Sequence, residues 1–188
     1  MTVPAAILAG GAARRMGGID KSGVTIRGRS VLARTLDVLR PNCDPIALIG
    51  RLEAPTSLIA LPDPVAGREG PLAGILAALD WSPEPWIMIV PCDTPFLPAD
   101  LVPRLLAARA DVDLVRTESL GHDHPTVALW RRDLKAPLTE AFAGGTRSIR
   151  AFTKGVKSAL VTFDVRSYDP FMNLNSPADV EAAAAIDA

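Results

Sequence analysis

The chain has 188 residues, 48% of them hydrophobic, and a formal net charge of −1 from 20 Lys and Arg against 21 Asp and Glu. That length suits one α/β domain with a buried core, and the balance excludes both intrinsic disorder and a surface that coats polyanions. No apolar run reaches the ~18 residues of a membrane span and no charged-then-apolar signal opens the chain; Cys43 and Cys92 are too few for a disulfide framework, which fits a reducing cytoplasm.

In chain order, Val3 to Leu8 reads as a first strand that empties into Gly10-Gly11-Ala12-Ala13-Arg14-Arg15-Met16-Gly17-Gly18-Ile19-Asp20-Lys21. Glycine lets backbone N–H groups approach an anion, and two arginines and a lysine add mobile positive charge for phosphate oxygens. The loop therefore reads as a nucleotide polyphosphate cradle. It is neither of the two familiar phosphate loops. The glycines miss the G-x-G-x-x-G spacing, and Arg15 and Asp20 stand where a P-loop ending in Lys21-Ser22 needs glycine.

Ser30 caps a predicted helix to about Arg40, with Leu32, Leu36 and Leu39 on one face. Strands follow at 45–49 and 57–61, and Gly70-Pro71-Leu72-Ala73-Gly74 opens the next helix, with Pro71 in its first turn. Trp86 to Val90 is uninterrupted and apolar, as expected of a central parallel strand covered on both faces. Then come a helix from about Ala99 to Arg109, strands at 113–117 and 126–130, helices near 134–142 and 148–152, and a strand at 159–163. Ser176-Pro177 starts the last helix. The alternation predicts a Rossmann-like, mostly parallel twisted sheet with helices on both faces, which binds ligands at the carboxyl ends of its strands.

Asp93, in Pro91-Cys92-Asp93-Thr94-Pro95, follows the apolar strand. Alone it reads equally as a turn or cap residue and as a Mg²⁺ ligand. Beside a cationic glycine loop the metal reading is preferred, because Mg²⁺ takes one or two carboxylates plus substrate phosphates and water. His122 and His124 form an H-x-H pair without a nearby cysteine, which disfavours a metal cage. Trp81, Trp86 and Trp130 show no regular stacking series and read as packing residues. The lack of a broad basic excess and of an aromatic platform disfavours a nucleic-acid-binding module.

Five segments in order, 8–21, GPLAG at 70–74, PCDTPF at 91–96, HPT at 124–126 and NLNSP at 173–177, resemble the molybdenum cofactor guanylyltransferases, Rossmann-like nucleotidyltransferases that make molybdopterin guanine dinucleotide. The resemblance spans nearly the whole chain and implies a nucleotide-binding half of about 1–98 and an acceptor-binding half of about 99–188 within a single domain. It implies that Leu8, Ala9, Gly10 and Gly11 contact the guanine nucleotide. Arg15, Gly18 and Lys21 surround the triphosphate and reacting phosphorus. Asp63, Gly70 and Gly74 also belong to the nucleotide site, Asp93 is the Mg²⁺ ligand, and Asn173 and Asn175 lie beside the pterin. By the residues alone, Asn175 is equally a turn residue before the Ser176 cap, and His124-Pro125-Thr126 equally a phosphate contact or a strand entry. The chain departs from the family at Leu48-Ile49-Gly50-Arg51, where an asparagine is frequent, so no contact is carried over there.

The implied reaction is attack by the terminal phosphate of molybdopterin on the α-phosphorus of GTP, in line, with release of pyrophosphate. Arg15, Lys21 and Asp93 form the catalytic set, and no protein nucleophile is required. The resemblance also implies transient contact with molybdenum cofactor insertion proteins or molybdoenzyme chaperones. Two alternatives remain: a cytidylyltransferase using CTP, or another sugar-phosphate-type nucleotidyltransferase; and a guanine-nucleotide-binding adaptor in cofactor delivery. Gly10-Gly11 favours the guanylyl branch, since cytidylyl relatives typically read LAAG.

Overall fold

The computed structural model describes residues 2–9, 23–51, 53–62, 70–165 and 167–186. Its elements run β1 (Val3–Leu8), β2 (Thr25–Ile26), β3 (Arg29–Ser30), α1 (Val31–Leu39), β4 (Cys43–Ile49), β5 (Ile59–Leu61), α2 (Pro71–Trp81) and β6 (Trp86–Pro91). There follow α3 (Leu101–Ala107), β7 (Leu114–Ser119), β8 (His122–Arg131), α4 (Lys135–Ala143), α5 (Ile149–Thr153), β9 (Ser158–Thr162) and α6 (Pro177–Ala185). Seven strands make one sheet in the order β5-β4-β1-β6-β8-β7-β9, and β2 and β3 form a separate small hairpin.

Both faces of the sheet are covered, and the strand sequences show why. In β6, Met88 and Val90 enter the core shared with α1 and α3, while Ile87 and Ile89 enter the one shared with α2, α4 and α5. All four are fully buried, each stabilising the fold by roughly 1.5–3 kcal/mol. A strand with two apolar faces has no polar alternation to show, which is how Trp86–Val90 reads in the sequence. The expectation of parallel neighbours holds on one side only. β6 pairs with β1 in parallel and with β8 antiparallel.

The reversal comes from a tight hairpin. Ser119 pairs with His122 across Leu120-Gly121, whose φ values of +52° and +75° are those of a type I′ turn. Within the hairpin the register slips between Arg116 and Thr117, which pair with Ala128 and His124. Pro125 lies in that slip, where its missing N–H disturbs no regular ladder. Thr117, fully buried, donates its hydroxyl to the Val127 carbonyl at 2.9 Å. This bond stitches the irregular stretch to β7.

Helix starts follow the sequence. Ser30 accepts from Ala33 N and caps α1, while Ser176 and Asp179 form a reciprocal capping box on α6. The helix expected from Ala99 begins at Leu101, with Asp100 at its N-cap position. Asp93 therefore does not cap it. A third, smaller apolar cluster joins Ile26, Val31, Phe96, Leu174 and Ala183, and so fastens the β2–β3 hairpin and the segment before α6 to the turn after β6.

Candidate active site at the carboxyl rim

Three parallel strands finish together. Leu8 lies opposite Ile49 on one side and Pro91 on the other. Beyond the ladder, Ala9 N donates to the Ile49 carbonyl at 2.9 Å and Cys92 N to the Leu8 carbonyl at 3.1 Å. Leu8 is buried and Ala9 partly so. Of the expected site residues, Gly10, Gly11, Arg15, Gly18 and Lys21 lie outside the described residues, as does Asp63. The flanks of the first loop are placed. It leaves from Ala9 at this rim, and Val24 beyond it accepts from Val31 N at 2.9 Å.

Gly70 occupies the N-cap position of α2 with φ +83° and ψ −177°, a conformation that side chains rarely adopt. Gly74 has a different demand on it. A Cβ there would meet Leu8 Cδ2 at 3.1 Å and Ile49 Cγ2 at 3.6 Å. The close approach of α2 to the ends of β1 and β4 thus explains a small residue at this position on packing grounds.

Asp93 lies two residues beyond the end of β6 in this rim and is half-buried, with Oδ1 enclosed. Its carbonyl accepts from Leu174 N at 2.9 Å, and the fully buried Thr94 donates its hydroxyl to Asn173 Oδ1 at 2.9 Å. The structure therefore brings Asn173 next to the aspartate turn although 80 positions separate Asp93 from it in sequence. Asn173 and Asn175 are exposed and Leu174 between them is 1% exposed. This alternation puts both asparagines on the outer side of the segment. The backbone of Asn175 also belongs to the helix cap, since its N–H and that of Ser176 donate to Asp179 Oδ2 at 2.8 Å each. The two readings of Asn175 are compatible: the cap uses its main chain and leaves its side chain outward.

The β7–β8 hairpin adds a polar chain that the sequence did not signal. His124 Nε2 and Ser119 Oγ are 2.7 Å apart, Ser119 Oγ donates to Asp169 Oδ1 at 2.7 Å, and Phe171 N donates to the same Oδ1 at 2.9 Å. The imidazole also rests against Phe171, with ring centroids 4.9 Å apart. Burial pushes the His124 imidazole below its ordinary value. Asp169 and Asp123 pull it upward, and His122 and Arg150 push the same way as burial. Thr94, Ser119 and Asp169 were missed as site residues. The dipeptide Asp169-Pro170 is a turn signal, but isolated hydroxyls at strand ends carry none.

Among the described residues no group of three or more His, Cys, Asp or Glu side chains is gathered as a metal cage. The donor chemistry at the rim suits a hard cation held by one carboxylate and by substrate oxygens.

A mostly parallel α/β sheet with a carboxylate and an asparagine pair at its carboxyl rim, and a glycine-rich sequence following its first strand, has the layout of a nucleotide-handling enzyme. Residues 5–160 match the MobA-like NTP transferase domain. A molybdenum cofactor guanylyltransferase of Rhodopseudomonas palustris strain BisB5 is 45% identical over 195 residues, covering 97% of this chain and 93% of that protein. The molybdopterin-guanine dinucleotide biosynthesis protein A of Archaeoglobus fulgidus superposes with a TM-score of 0.72 at 24% identity, covering 96% of each chain. The 2-C-methyl-D-erythritol 4-phosphate cytidylyltransferase of Thermus thermophilus does so at 0.74 and 20% identity, covering 98% of each chain. These two show the shared fold. The chain belongs to the MobA-like NTP transferase family, among its molybdenum cofactor guanylyltransferases, and is a nucleotidyltransferase enzyme.

Proposed function

We propose that the protein transfers GMP from GTP to the terminal phosphate of molybdopterin, giving the guanine dinucleotide cofactor and pyrophosphate. The observation that carries this reading is the junction of Asp93-Thr94 with Asn173 at the rim where β1 ends, which would join a nucleotide half (about 1–98) to an acceptor half (about 99–188). The names of the relatives supply the substrates.

Leu8, Ala9, Gly10, Gly11, Gly18, Asp63, Gly70 and Gly74 would form the nucleotide site. Arg15 and Lys21 would offset charge on the transferred phosphoryl group and on departing pyrophosphate. Asn173 and Asn175 would hold the acceptor in line with the α-phosphorus. A phosphate oxygen is already ionised at neutral pH, so the chain's contribution is alignment and charge compensation. Asp93 would hold Mg²⁺, which when bound screens triphosphate charge. Insertion proteins or molybdoenzyme chaperones would receive the product.

Purified protein, Mg²⁺ and molybdopterin are to be incubated with GTP or CTP, followed by detection of dinucleotide and pyrophosphate. Dinucleotide from GTP is expected; preference for CTP overturns the substrate assignment. Loss of one preorganised cation costs about 3–4 kcal/mol of barrier. Arg15→Ala should therefore lower turnover more than tenfold, and unchanged turnover in the folded variant removes Arg15 from the set.

A further inference from the structure

The segment 169–175 lies in the chain between the edge strand β9 and α6 and meets the rim at the β6 turn. It is pinned to the β6 turn by Leu174 N on the Asp93 carbonyl and by Thr94 on Asn173. A further attachment is the chain His124–Ser119–Asp169. Ser119 is fully buried, at the end of β7, and its hydroxyl has one proton. That proton goes to Asp169 Oδ1, which leaves Ser119 an acceptor toward His124. His124 is thereby fixed as the Nε2–H donor, which leaves Nδ1 as its second nitrogen. The order of the three groups matters. A nucleophilic serine needs the imidazole between itself and the carboxylate, free to take the hydroxyl proton; here serine is the middle member and its proton is already committed. The arrangement holds structure and generates no nucleophile.

We propose that Ser119, Asp169 and His124 are positioning residues that set the place of the 169–175 segment, and with it Asn173, against the acceptor substrate. Asp169 serves two bonds through one oxygen, Ser119 Oγ from the β7–β8 hairpin and Phe171 N from its own turn. One carboxylate oxygen thereby ties the hairpin to the segment. Phe171, 3% exposed, packs its ring edge-on to Phe163 at 5.3 Å and beside His124, which closes the apolar side of the joint. Asn173 lies only two residues further on, so a loosened Asp169 turn shifts the asparagine and leaves the ends of β1 and β6 in place. The idea rests on the guanylyl-transfer reading for its substrate, while its structural half stands apart from that reading.

The experiment uses the full chain with Ser119→Ala, Asp169→Ala and Asp169→Asn. The asparagine variant keeps an oxygen acceptor for both donors and is the conservative rescue. Amide hydrogen exchange is read at Phe171 and Leu174, with the β6 amide of Ile89 reporting that the core is intact. The Ala variants should speed exchange at Phe171 and Leu174 at least tenfold, leave Ile89 unchanged, and raise the KM for molybdopterin about five- to tenfold with the KM for GTP within about twofold. Asp169→Asn should restore both readouts. Unchanged exchange at Phe171 and Leu174 in Ser119→Ala overturns the joint. Faster exchange with an unchanged molybdopterin KM overturns its role in positioning, as does a KM that rises equally for both substrates. If the wild-type protein forms no dinucleotide, the substrate reading fails while the exchange measurement still decides the joint. If Asp169→Ala does not fold, Ser119→Ala and Asp169→Asn decide it.

Discussion

Thr94→Val deletes one hydroxyl and keeps the branched shape of a side chain that is fully buried. The lost bond, to Asn173 Oδ1 at 2.9 Å, has a net worth of about 0.5–1.5 kcal/mol. Its partner residue is exposed, so the freed amide oxygen takes up water and the desolvation penalty of about 1–3 kcal/mol for a stranded acceptor does not arise. The added methyl, buried with the rest of the side chain, returns up to roughly 0.8 kcal/mol. The two terms nearly cancel, and unfolding free energy should change by less than about 1 kcal/mol. Function should respond more strongly. Asn173 loses the contact that fixes its amide, and the same 0.5–1.5 kcal/mol spent on the acceptor corresponds to a roughly two- to tenfold fall in kcat/KM for molybdopterin. Urea unfolding followed by intrinsic fluorescence gives the first quantity and steady-state assays with varied acceptor give the second. A stability loss above about 2 kcal/mol would refute the reasoning, because it would mean that the hydroxyl satisfies a group that water cannot reach.

Three further outcomes are expected. Burial keeps folded His124 neutral where the unfolded imidazole, with its ordinary value of 6.5, is already charged, so its contribution to stability is whole above that value and is lost as pH falls; the thermal midpoint should drop between pH 7.5 and 5.5, and His124→Gln should flatten the drop. Asp169 and Asp123, which favour the cation, limit its size, while His122 and Arg150 enlarge it. The Cys43 thiol is pushed by burial from 9.0 up to about 12, so peptide mapping after alkylation at pH 8 should find it unmodified in native protein and modified in urea, with stability declining above pH 9 as the unfolded thiol ionises. Leu120→Asn relieves a left-handed residue that is 65% exposed at the hairpin tip and should stabilise by about 0.5–1 kcal/mol in the same urea assay, since asparagine tolerates that backbone region.

The elements legible in the sequence were those whose local chemistry matched their final setting. Ser30 and Ser176 announce helix starts because a cap uses residues within one turn, and Ile87–Val90 announce a doubly covered strand because nothing polar interrupts them. The β2–β3 hairpin, two residues to a strand, has no period to detect. β8 begins at His122, four residues before the expected Thr126, because Pro125 and the register slip break the alternation that marks a strand. Of the site, Asp93 and Asn173 stand out in the sequence through their motifs, and their shared corner appears only when the segment before α6 folds back. Ser119 and Asp169 stayed hidden for a related reason. Their significance comes from a bond between residues 50 apart, and neither neighbourhood carries a trace of the other.

The single reversed strand has an evolutionary consequence. A parallel return would have carried the chain to the opposite end of the molecule and back, so that each added strand offered the rim one loop. By doubling back at Leu120-Gly121, the chain presents the end of β7 and the start of β8 at the same margin. Residues inserted at this tip would extend beyond the rim where β1, β4 and β6 end without lengthening those strands. On the proposed assignment of this side to the acceptor, its selectivity could diversify in a module of its own while β1, β4 and β6 keep their geometry.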